Sequence, residues 1–337
     1  MRFMLCAICG LIASLLTAQE NILSPLTNDA FCRPGVINKS PSKGVLFEYG
    51  IQPNYNISTS TNTGMSSQIQ HNRQWLFKFK VPVIRKPGFK FLLGAEHRQE
   101  RLNFNFISRG DASLFSDLDD KRLKASRISA YFLKSLNDKW YASLKLETAA
   151  NGDYSQLMSF DNRYAIYRAA FMVARKKRDD LEYGMGVLFN KNFRRTLVVP
   201  FFLYNQTFNS KWGIESALPV KIKLRHNINE RSILLFGPAF RGRTYSVDIR
   251  DDNGENGIFH LRNAELQLEL SYQYRLNSWI WTEFRGGYAH PFATRFERQT
   301  GEFSAFSEGV NEINAQPTGA PFFRIGIFVS PPKHLMK

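Results

Sequence analysis

The chain has 337 residues, with 45 Lys or Arg against 29 Asp or Glu, a formal charge of +16 and 14 % aromatic residues. Its aromatic and apolar content excludes an intrinsically disordered chain. Past the extreme N-terminus no apolar run reaches the about 20 residues that a membrane-crossing helix needs, which excludes a polytopic helical membrane protein.

Arg2 precedes an uncharged apolar stretch, Phe3 to Ala18, and polarity begins at once with Gln19 and Glu20. This is the layout of a secretory signal peptide (1–18) cleaved after Ala18, which leaves 19–43 as an N-terminal periplasmic tail. Cys6 and Cys9 leave with the leader. Cys32 is then the single mature thiol, an incidental one in the tail, and no internal disulfide can form.

From residue 44 the pattern has period 2, as in a strand with two unlike faces. In chain order the runs are 45–52, 69–82, 88–106, 122–136, 139–148, 162–175, 181–190, 196–205, 212–225, 231–249, 263–276, 279–290 and 321–330. The clearest sets Ala264, Leu266, Leu268, Leu270, Tyr272, Tyr274 and Leu276 against Asn263, Glu265, Gln267, Glu269, Ser271, Gln273 and Arg275. It far exceeds the usual strand of about 5–6 residues. Asn137-Asp138, Asp179-Asp180, Asn209-Ser210 and Asn277-Ser278 supply turns between runs. Short connections alternate with long polar ones at 108–121, 151–161, 251–260 and 291–320, and no amphipathic helix of useful length is found.

The expected fold is all-β: a single closed antiparallel transmembrane β-barrel over 44–330, with 331–337 as a C-terminal tail. Thirteen runs would leave the two chain ends on opposite sides of the membrane. Turning 231–249 at Gly237-Pro238 or Gly242 makes fourteen strands; merging two neighbours makes twelve. Twelve is the expectation and fourteen the runner-up. Three features favour a membrane barrel over a soluble sandwich. The strands exceed the about 9–11 residues of a bilayer crossing, and a leader exports the chain. Trp75, Trp140, Trp212, Trp279 and Trp281 stand at or near strand ends, as an interfacial girdle would. The first strand should pair with the last, because an open edge would leave backbone groups unpaired in hydrocarbon.

The segment Val199-Pro-Phe-Phe-Leu-Tyr-Asn-Gln-Thr-Phe-Asn-Ser-Lys-Trp-Gly-Ile-Glu-Ser-Ala-Leu-Pro219 resembles a recurrent stretch of a Bacteroidota outer-membrane β-barrel family of unknown function. Ile233 to Gly237 and Gly319 to Gly326 are similar to it too. The resemblance implies an outer-membrane barrel and no particular substrate. The chain departs from the usual pattern of such barrels in ending without a terminal aromatic residue.

Of the six His, His290 ends a run before a long loop, but none lies in a nucleophile elbow. His97 near Glu96 and Glu100 does not converge on one strand face as a metal site would. Asp251 to Gly257 is rich in oxygen ligands without the calcium-loop register, and Arg175 to Arg178 reads as a charged turn. No catalytic residue, metal or cofactor is assigned. Lumen-facing basic candidates are Lys221, Lys223, Arg225, Arg275, Arg285 and Arg324, with Glu147, Glu265, Glu269 and Glu283 as acidic ones. Lys78, Lys80, Lys90, Arg98, Lys145, Glu96, Glu182 and Glu215 also fall on polar faces.

The expected protein is a non-enzymatic barrel in the outer membrane of a Gram-negative bacterium. It would act as a narrow channel, or as a structural or surface-interaction protein, with a charged lumen. The alternative is a barrel enzyme that modifies lipid or lipopolysaccharide. Expected partners are outer-membrane lipid, lipopolysaccharide and the barrel-insertion machinery. Export argues against nucleic acid despite the basic charge.

Overall fold

The computed structural model describes residues 31–59, 66–105, 113–119, 121–193, 195–250, 255–299 and 312–331. The leader 1–18, tail residues 19–30, the 106–112 and 300–311 loop stretches, Asp251 to Gly254 and the C-terminal 332–337 lie outside them.

The described strands form one sheet. Its strands are β1 (Val45–Thr59), β2 (Ser66–Lys86), β3 (Phe89–Asn105), β4 (Arg122–Ser135), β5 (Trp140–Gly152), β6 (Ala165–Arg178) and β7 (Leu181–Asn192). They continue as β8 (Arg195–Thr207), β9 (Trp212–Leu218), β10 (Lys221–Asn229), β11 (Ser232–Arg250), β12 (Asn256–Arg275) and β13 (Ile280–Arg298). β14 (Glu312–Pro317) and β15 (Ala320–Val329) are two pieces of one final stave, since both pair with β13 and with β1. Each stave is antiparallel to the next, and Val45↔Val329 through Ile51↔Phe323 close the ring. The result is a closed barrel of fourteen staves. Twelve, the expected count, is overturned in favour of the runner-up.

The extra strand arises within 212–225, and not within 231–249. Pro219 and Val220 turn the chain between β9 and β10. Lys221 pairs with Ala217 across three intervening residues, and an odd number preserves even-odd parity, so Trp212, Ile214, Leu218, Ile222 and Leu224 stay on one face and the run looks uninterrupted. β11 passes straight through Gly237 and Pro238, both paired to β12. Gly237 sits at φ +143°, and an added Cβ would meet the Ile222 carbonyl at 2.4 Å, so only glycine fits where β10 comes close.

Alternation sorts the two faces as the residues demand. Leu266, Leu268 and Leu270 are 47–49 % exposed on the outside, while Glu265, Gln267 and Glu269 are buried within. Phe47, Phe77, Ile128, Leu146, Phe171, Val187, Phe202, Phe236, Phe284 and Ile325 extend this apolar belt around the barrel. Trp281 breaks from the expected girdle. It shares inward parity with Glu283 and Arg285, and it is buried with Leu46, Ile233, Leu235 and Phe328.

At the end carrying the long loops, β11 runs past the end of β10, and Ser246 pairs in parallel with Gly152 of β5. A seven-residue helix, α1 (Ser113–Asp119), fills the narrowed mouth, a helix the sequence did not announce. Its Leu114, Phe115 and Leu118 pack with Ile57, Ile69, Val247, Phe259 and Phe296 into an apolar cap. At Asn54, where φ is positive and the pairing to β2 is interrupted without a shift of register, the buried parity of β1 reverses and Tyr55 and Ile57 turn toward that cap.

At the short-turn end, residues 32–44 belong to the fold, in contrast to the expected tail. Cys32 N–H donates to the Asn137 carbonyl, Ile37 N–H to Asp179, and Gly44 N–H to Val329. Cys32 itself is 3 % exposed, packed with Tyr141 and Ala174.

Candidate functional site

Between the apolar cap and this floor, inward side chains from most of the staves form a charged layer. Glu269 of β12 is one hub: Lys223 Nζ lies 2.8 Å away, Arg241 3.4 Å and Arg324 3.9 Å. Gln267 Oε1 accepts from both Arg324 (3.1 Å) and Arg241 (3.2 Å), which holds the two guanidiniums side by side. Arg324 reaches Glu48 at 4.0 Å, and Arg285 joins Glu48 (3.5 Å) to Glu283 (2.7 Å).

A second group stands under the cap. Arg243 bridges Glu100 and Glu265, and Tyr245 and Asn72 also donate to Glu100. On β2 to β6, Glu96 gathers Arg127 (3.4 Å), Arg98 (3.6 Å) and Lys78 (3.9 Å). Glu147 takes Arg168 at 2.8 Å, with Lys145 and Ser129 beside it. Arg225 is wholly buried, donating to Glu215 at 3.1 Å and to Thr207 Oγ1 at 2.8 Å.

Cations outnumber carboxylates in this layer. Lys223, Arg241 and Arg324 share Glu269, and Lys221, on the same inward face of β10, stays exposed and makes no salt bridge among the described residues. Beside it, the register Lys221↔Ala217↔Leu203↔Gly184 carries a small apolar wall into the lumen. The arrangement favours small anions electrostatically. Among the described residues no group of three His, Cys, Asp or Glu could hold a metal.

The floor is gripped by carboxylates of the same layer. Glu182 accepts Gly35 N–H (2.6 Å), Tyr141 (2.7 Å) and Asn205 (2.8 Å). Glu215 takes both the N–H and the hydroxyl of Ser40 at 2.8 and 2.7 Å, and Glu283 pairs with Lys43. Each saturates buried donors that would otherwise be orphaned.

The expected lumen residues fall as follows. Lys221, Lys223, Arg225, Arg285, Arg324, Glu147, Glu265, Glu269 and Glu283 enter the charged layer, whereas Arg275 lies at the floor, 5.9 Å over the Trp281 ring. Trp140 and Trp212 are outward and exposed at the short-turn end, and Trp279 lies in the turn before β13. Trp75 is outward but in mid-strand, 4.9 Å from His97. His290 faces outward opposite Leu266, away from the charged layer.

Glu48, Glu100, Arg127, Arg168, Arg241 and Arg243 were missed. Glu48 and Glu100 were findable by parity alone, from Leu46 and Glu96. Arg241 and Arg243 were obscured by the turn expected at Gly242.

A family model described as a domain of unknown function (DUF6268) matches residues 101–329. No curated protein matches the chain significantly. Among solved structures, the NanC porin is similar at 11 % identity over 85 % of this chain and 99 % of its own, with a TM-score of 0.35. A FadL homologue of Pseudomonas aeruginosa is similar at 8 % identity, over 85 % and 90 %, with a TM-score of 0.40. The outer-membrane protease OmpT of Escherichia coli is similar at 6 %, over 88 % and 100 %, with a TM-score of 0.30.

Proposed function

The chain belongs to the DUF6268 family, domains of unknown function, and on that premise we propose that it is a non-enzymatic barrel of a Gram-negative outer membrane, a narrow anion-favouring channel that rests closed. The apolar belt around fourteen closed staves supports residence in a bilayer, where every backbone group must be paired internally. A leader cleaved after Ala18 would deliver it; intact mass of protein from the native envelope tests that cleavage.

The observation that carries the channel reading is the cation surplus around Glu269, with Lys221 exposed beside it. A positive surplus in a narrow lumen admits anions and repels cations. The cap around α1 and the floor at 32–44 support a closed resting state, with opening by displacement of the floor.

Single-channel recording in a planar bilayer tests this. The expected result is a small conductance with a reversal potential displaced toward the anion, weakened by Lys221→Ser and by salt, since the Debye length is about 10 Å at 0.1 M. A large unselective conductance that ignores Lys221→Ser overturns it. Turnover of lipid or lipopolysaccharide that vanishes with His290→Ala would replace it with the enzymatic alternative.

A further inference from the structure

On the outside of the barrel, three arginines stand in one row. The register aligns Arg73 of β2 with Arg101 of β3, and Arg101 with Arg122 of β4. All three are exposed, while their inward neighbours Asn72, Glu100 and Leu123 are buried, so the guanidiniums share the outer face. Like charges directly opposite on neighbouring strands repel, with Cβ atoms about 4.5–5.5 Å apart. No carboxylate of the described residues pairs with any of them. A row of this kind is stabilised by an anion from outside the chain.

Its height on the wall says which anion. One step toward the short turns lie Trp75 and, below it, Phe77, Leu93 and Ile128 of the apolar belt. The row therefore sits at the long-loop edge of the belt, where headgroups meet hydrocarbon. Lys124, level with Trp75, fastens the 153–161 loop against this wall, donating to the Tyr154 and Ser155 carbonyls at 2.7 Å each. That loop leaves Leu157 72 % and Phe160 87 % exposed, apolar side chains suited to lipid at the same boundary.

We propose that Arg73, Arg101 and Arg122 bind the phosphates of a phosphorylated glycolipid in the outer leaflet, a site that rests on the membrane reading above. The planar guanidinium fork matches phosphate oxygens two at a time, and three forks in a row suit a headgroup with more than one phosphate.

The test is native mass spectrometry of the full mature chain in nonionic detergent, titrated with diphosphorylated lipid A, with the same lipid stripped of phosphate, and with inorganic phosphate. A one-to-one adduct is expected with the diphosphorylated lipid alone. Each Arg→Ser change should weaken it about fivefold, and Arg101→Glu should abolish it. Lys177→Ser, at the opposite rim, should leave it unchanged. Heat-dependent gel mobility confirms that each variant is folded. Equal adducts in the wild type and Arg101→Glu, an adduct with the phosphate-free lipid, or full competition by inorganic phosphate overturns the site. Failure of the wild type to insert into vesicles would instead count against the membrane reading.

Discussion

Arg225 and Glu215 meet across the β9–β10 hairpin at 3.1 Å, with the guanidinium fully buried and the carboxylate also holding Ser40 of the floor. The pair ties the lowest part of the wall, strands of seven and nine residues, to the segment that crosses the barrel's end.

Arg225→Ala should cost about 3–5 kcal/mol, because it strands a buried carboxylate. The double change Arg225→Met with Glu215→Gln should cost less than Arg225→Ala alone. Urea unfolding in lipid vesicles measures both, and a single change that costs under 1 kcal/mol would contradict the pair's burial.

Leu268 lies midway along the outward set of β12. Leu268→Arg should destabilise the vesicle-inserted protein by about 2–4 kcal/mol near the bilayer midplane. In detergent without a bilayer the penalty should shrink.

Glu182→Ala removes one acceptor from three floor donors: Gly35 N–H, the Tyr141 hydroxyl and the Asn205 amide. The floor should then loosen. Trypsin should cut after Lys39 faster than in the wild type, and single-channel openings should become more frequent. Unchanged cleavage and conductance would show that the floor is held without this carboxylate.

Asp117 of α1 is doubly engaged by Arg250, with Nη2 at 2.6 Å, and those hydrogen bonds hold its carboxyl below the usual carboxylate range. The folded value is depressed, so the contribution is complete above the unfolded value of about 3.9 and fades as pH falls through the folded one. Protection of the amides of residues 113–119, taken relative to the intrinsic exchange rate at each pH, should fall on acidification to about pH 3. Asp117→Asn should be less protected already at neutral pH and less responsive to acid.

Much of the barrel was legible in alternation. Lys223, on one face with Lys221 and Arg225, required a carboxylate from elsewhere in the wall, and Glu269 supplies it. What escaped has identifiable physical causes. The Pro219-Val220 turn kept parity and concealed a strand boundary. For Trp281 an aromatic at a strand start suggested an interface, but strand parity sent it inward. The backbone irregularity at Asn54 reversed a face without any change in composition. The floor has no period at all, and its carboxylate partners lie 147, 175 and 240 residues away, beyond any local pattern.

Gly44 links that floor to the line where the first and last strands meet: its N–H donates to Val329, and its carbonyl accepts from Lys80. The polypeptide thus passes into the barrel's interior at its own zipper. A cylinder of hairpins can fasten that zipper only after its final stave has emerged, so residues 32–43 are enclosed by the same event that completes the wall. Stopper and seam are laid down together, and a barrel that has finished closing has, by construction, already been corked.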